Sequence, residues 1–141
     1  MDGQKVHQAI NKDGYAKGIK EDHVVWCIQK QYKSFTKANV YGRLIDVYLE
    51  NTNHFIPEYL VHFEILKEKA KEYHLEIVED GFFSDTFQML KKQMVENDPS
   101  RNRFLDEAIR SLDKDSEQTR FSFLNRWAIF RKMEDREIQS I

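Results

Sequence analysis

The segment "FIPEYLVHFE", residues 55 to 64, places a carboxylate directly after a proline: Pro57, then Glu58. An ionised carboxylate only accepts hydrogen bonds and can take two parallel donors at once, so a fixed glutamate can read a ligand edge with adjacent N–H groups. The structural alternative is a helix end. Proline suits the first helical position, and a glutamate in the first turn complements the macrodipole. Local pattern leaves both readings open. Other reactive groups are sparse. Cys27 is the single cysteine, it falls on a segment expected to be a buried strand, and there is no GxSxG, so nucleophilic hydrolysis has no support. The histidines at 7, 23, 54, 62 and 74 show neither HxxxH nor HExxH spacing, which gives no metal-ligand pattern.

Totals narrow the classes further. Lys plus Arg number 22 against 24 Asp plus Glu, a net charge of -2, so the chain is not a globally basic nucleic-acid binder. Arg101, Arg103, Arg110, Arg120, Arg126, Arg131, Lys132 and Arg136 could still follow an RNA backbone locally. Asp106, Glu107, Asp113, Asp115, Glu117, Glu134 and Asp135 lie among them, and that interleaving favours a solvated mixed surface. The 33% charged and 13% aromatic content, with five Gly and two Pro, is that of an ordered domain, and 141 residues suit one. One cysteine excludes an intrachain disulfide and suits a reducing compartment, cytosol or nucleus. No run approaches the roughly 20 apolar residues of a membrane span, and the first residues show no signal-peptide core.

The elements that must position Glu58 follow from periodicity. Residues 3–12 suit a short helix with Val6, Ala9 and Ile10 on one side, followed by a turn-prone connector, "NKDGYAKG". "HVVWCIQKQY" (23–32) and "RLIDVYLE" (43–50) read as strands, the second with Ile45, Val47 and Leu49 on one face. From Pro57 to Tyr73 the spacing of Tyr59, Phe63, Leu66, Ala70 and Tyr73 predicts one helical stripe, and "LEIVEDGF" (75–82) follows as a strand. A helix over 84–95 with Ser84 as its N-cap and Phe87, Leu90 and Met94 on its apolar side, and another over 102–112, come next. "DKDSEQTR" reads as a polar loop, "FSFLNRWAIFRK" (121–132) as a closing strand and 133–141 as a charged tail. Tyr48, Tyr59 and Trp127 fall on structural stripes and are expected in the core. The class is α/β, with a mixed sheet, antiparallel C-terminal strands and flanking helices.

"GRLIDVYLENTNHFIPEYLVHFEILKEKAKEYHLEIVEDGFF" resembles the C-terminal half of mRNA cap (guanine-N7) methyltransferases, especially those of large DNA viruses. There a strand, a short loop, a "(V/I)PEYLV" helix start and a "K.YGLELV" strand occur in this order. "MDGQKV" is similar to the "DG..V" that follows the family's "GG.F..T" strand, and "FSFLNRWAIFRK" to the closing strand of viral members. The resemblance implies the C-terminal part of a Rossmann-like class I methyltransferase fold over residues 1–132. It also implies capped RNA as substrate, S-adenosylmethionine as methyl donor and a cytoplasmic setting, the host cytoplasm or viral factory for a viral chain. Glu58 matches the glutamate that contacts the cap guanine, whose N1–H and N2 amino group are adjacent donors. A tyrosine near the family's closing strand has no counterpart; Phe123 or Asn125 stands near that place, and Phe123 could offer a stacking face.

Guanine N7 is already a lone-pair nucleophile, so the implied transfer needs positioning and no general base. The cofactor signature is missing. Glycines 3, 14, 18, 42 and 81 contain no GxG, and the family's "HY" segment has no counterpart. Two expectations follow. The chain is the cap-guanine-binding half of the enzyme, active only when another half supplies the methyl donor, or it is a non-catalytic accessory subunit that stimulates a capping enzyme. Both imply a protein partner, because half of a sheet leaves an edge to cover.

Overall fold

The β-branched and aromatic apolar run of "HVVWCIQK" and the alternation of "LIDVYL" make two strands, and these form the centre of a four-stranded antiparallel sheet. The computed structural model describes residues 1–36, 41–96, 107, 109–110 and 116–134, with only the backbone described at 94–96. In chain order the elements are α1 (Gly3–Ala9), β1 (Tyr15–Lys20), β2 (His23–Lys30), β3 (Leu44–Leu49) and β4 (His54–Tyr59). There follow α2 (Phe63–Glu72), β5 (Leu75–Phe82), α3 (Phe83–Glu96), α4 (Glu117–Ser122) and β6 (Arg126–Lys132). The first sheet runs β1-β2-β3-β4, and β5 and β6 form a separate antiparallel pair. The mixed α/β class and the antiparallel C-terminal strands are thus present.

Helix α1 is set by Asp2, whose carboxylate caps it by accepting from the Lys5 backbone N–H at 2.9 Å. With α4 it covers one face of the first sheet, where Val6, Ile28 and Ile45 are fully buried among Trp26, Val47 and Leu60. The Trp26 indole donates to the Glu117 carbonyl at 2.7 Å, and its ring lies 5.6 Å from that of Phe121.

Several expectations change. The stretch "YAKGIK" is strand β1 and not a turn. Pairing with β2 overrides its local turn propensity, and Gly18 leaves out the side chain that would strike the Trp26 ring. Its hairpin closes through Glu21 and Asp22, both at positive φ (48° and 67°), the pattern of a two-residue turn matched to strand twist. "HFIPEY" is strand β4, paired along its length with β3, so Pro57 and Glu58 lie outside any helix. Phe55, Ile56 and Tyr59 favour extended backbone, and an edge strand tolerates a proline. The helix starts only at Phe63, so the anticipated stripe is cut short. Tyr59 and Tyr73 are 67% and 73% exposed, while Phe63 and Ala70 are buried.

Ser84 lies inside the first turn of α3 and is not its N-cap. "EQTRFS" is helix α4, capped by Ser116, where a loop and the start of a strand were expected; the closing strand begins at Arg126. Of the helix anticipated over 102–112, only 107, 109 and 110 are described, and these are helical. The side chain of Met94 and residues 135–141 of the charged tail lie outside the described residues.

The two sheets meet through Asp2. Its backbone forms an isolated parallel bridge with Val61, and its N–H donates to the Leu124 carbonyl at 2.9 Å. Gly3 follows so closely that a Cβ there would sit 2.6 Å from the Val61 carbonyl oxygen.

Candidate functional site

Glu58 stands on the edge strand, opposite Ile45 of β3 in register. It is exposed, and among the described residues its carboxylate has no hydrogen-bond or ion-pair partner. The helix-end role does not apply to it. That position in α2 belongs to Glu64, in the first turn behind the N-cap His62.

Phe123 is the C-cap of α4, and so precedes the closing strand. Its half-buried ring packs 5.7 Å from that of buried Phe87, and its carbonyl accepts from the Lys5 ammonium at 3.2 Å. Nearby Asn125 spends its side-chain amide on the Ser122 carbonyl at 3.0 Å. Glu58 belongs to the first sheet and Phe123 packs on α3, so no contact joins them among the described residues.

Residues expected in the core take other roles. Tyr59 is exposed, as noted; Tyr48 is half-buried with its ring 5.5 Å from Phe55; Trp127 is half-buried and donates to the Thr86 hydroxyl at 2.7 Å. Cys27 is half-buried, and burial pushes its thiol pKa up while Lys17 acts the other way, which leaves it a poor nucleophile. Three of the arginines that could have formed a phosphate-binding stripe are committed elsewhere. Arg120 pairs with Glu117, Arg126 with Asp80 and Arg131 with Glu76, whereas 101, 103 and 136 lie outside the described residues.

Two constellations had no signal in the sequence, because their members are far apart along it. Lys5, Asp2, Asp80 and Arg126 form a charged cluster around the rings of Phe63 and Phe82. The Arg126 guanidinium lies 3.4 Å from the Phe63 centroid and 3.9 Å from the Asp2 carboxylate, and the Lys5 ammonium 3.9 Å from the Phe82 centroid. Elsewhere His7, Tyr32, Phe35 and His62 stack with centroids 5.5 to 6.1 Å apart. The His7 Nδ1 meets the Tyr32 hydroxyl at 2.8 Å.

With this geometry in view, the chain belongs to the mRNA (guanine-N(7))-methyltransferase domain family, whose model matches residues 6–122. No curated protein matches the chain. The family implies S-adenosylmethionine as methyl donor and capped RNA as substrate. No helix among the described residues is long and apolar enough to cross a membrane. Three of the five glycines leave no room for a methyl donor beside them. The space beside Gly3, Gly18 and Gly81 is filled by Val61 and Phe35, by Trp26 and Glu117, and by Trp127. Gly14 and Gly42 have room but stand singly in turns and line none of the four described cavities.

Proposed function

We propose that this chain provides the cap-guanine side of a guanine-N7 methyltransferase, with Glu58 as the residue that accepts from guanine N1–H and the N2 amino group. The supporting observation is the state of Glu58: an exposed carboxylate without a partner among the described residues, in the "PEYLV" of a domain whose substrate is capped RNA. Such a carboxylate suits guanine and not adenine, which lacks the donor pair. Glu58 acts as a positioning residue and neither gives nor takes a proton. Phe123 is the second contact of this reading, through its half-exposed ring.

In the same reading residues 1–132 form the C-terminal half of a Rossmann-like domain of the large-DNA-virus type, with 133–141 a charged tail, in a cytoplasmic setting. A further segment or protein partner carries the methyl-donor pocket. Titrating a GpppA cap analogue into the chain and its Glu58→Gln variant, followed by tryptophan fluorescence at low salt, tests the assignment. A charge-assisted contact of about 1.5 to 3 kcal/mol predicts roughly 10- to 150-fold weaker binding by the variant. Equal affinities would remove Glu58 from the site. Absence of binding by both proteins would move the reading to an accessory subunit that stimulates a capping enzyme.

A further inference from the structure

The largest of the described cavities, about 490 Å³, opens between α1, the start of α2 and the segment after β2. Small-molecule sites span roughly 300 to 1,000 Å³. Its lining is Gln4, His7, Gln8, Phe35, Thr36, His62 and Glu64: two amides, two imidazoles, a hydroxyl and a carboxylate around one ring. Among the described residues no lysine or arginine lines it. The carboxylate and amides suit a neutral moiety rich in hydroxyls, as carboxylates do when they accept from a ribose. Phe35 is already flanked by the His7 and His62 rings, at 5.5 and 5.6 Å.

One atom here lacks a partner among the described residues. The Nδ1 of His62 is buried without a hydrogen bond, and His62 makes no side-chain cap on α2. Unmatched buried polar atoms are uncommon, and this one belongs to a residue that lines the cavity. Glu64 is held loosely, 3.6 Å from Lys67, with much of its side chain exposed.

We propose that this cavity receives the ribose of the nucleotide joined to the cap, so that its 2′-hydroxyl is bound and RNA is told from DNA. The inference rests on the cap-guanine reading for its placement. Glu58 and His62 are four residues apart, a separation of at most about 14 Å in extended chain, within reach of a triphosphate-linked dinucleotide. The 2′-hydroxyl is both donor and acceptor, and matches a carboxylate beside an imidazole.

Binding of GpppA is compared with that of its 2′-deoxyadenosine counterpart and of GTP, which lacks the second nucleoside. The deoxy analogue is expected to bind about tenfold more weakly, from the loss of one hydrogen bond to a charged group. Glu64→Ala should reduce that ratio to near one while leaving GTP affinity unchanged. Equal binding of the two dinucleotides by the unaltered chain overturns the proposal even if Glu58 governs the guanine. If no guanine compound binds, the cap reading has failed, and adenosine alone decides. Imidazole NMR shifts at His7 and His62, larger than those of His23, His54 and His74 and absent with 2′-deoxyadenosine, support the cavity; no such difference overturns it.

Discussion

The two sheets of this chain are held by different means. The first encloses a continuous apolar core, with Ile28, Ile45 and Val6 at no more than 1% exposure. The β5–β6 pair, which two strands alone would scarcely stabilise, is held by side-chain links within it and to its neighbours. Arg126 to Asp80, Arg131 to Glu76 and Trp127 to Thr86 tie it together, and Arg126 lies over Phe63 of α2. Apolar burial is non-directional and scales with area, whereas the second arrangement depends on individual geometry and loses much when one partner is removed. The candidate carboxylate is carried by the edge of the first sheet, beyond its core.

This contrast can be broken most directly by Ile45→Ala. The fully buried side chain should take about 2–5 kcal/mol of stability with it, read as a lower urea midpoint at unchanged slope. Arg126→Ala should cost less, about 1–3 kcal/mol, because Asp80 keeps access to solvent while Asp2 is left buried beside a missing charge. Amide exchange should then quicken in β5 and β6 and stay unchanged in β2 and β3. Equal acceleration in both sheets would show a single cooperative unit and erase the distinction. The smallest effect is alkaline. Burial raises the Cys27 and Tyr32 pKa values above 9.0 and 10.0. The unfolded chain therefore ionises first, so stability is unaffected by these groups below about pH 8 and falls as pH passes upward through 9 to 10. Chemical denaturation between pH 7 and 10.5 measures it, and Cys27→Ser should remove the lower part of the slope.

How much of this was legible in the sequence follows from the range of each cause. Strands β2, β3 and β5 and helices α1 and α3 declare themselves by periodicity within their own residues. Strand β1 does not. Gly14, Gly18 and two lysines read as a turn, and pairing with β2, with the Trp26 ring lying across Gly18, makes the segment a strand. At β4 the Pro57–Glu58 pair imitates a helix start, and the competing influence, pairing with β3, is invisible locally. Glu58 could be singled out because its neighbours form a recognisable motif. The His7–Phe35–His62 stack could not, since its members are contributed by three separate segments.

Pro57 and Glu58 have a colloidal consequence as well. β4 is a sheet edge, and an open edge offers a template on which a second chain can add. Proline has no N–H to offer such a chain, and the polar glutamate beside it resists close stacking of an identical strand. The dipeptide that presents a carboxylate to solvent thus also works against edge-to-edge aggregation, so its replacement by β-forming residues would trade solubility as well as any ligand contact.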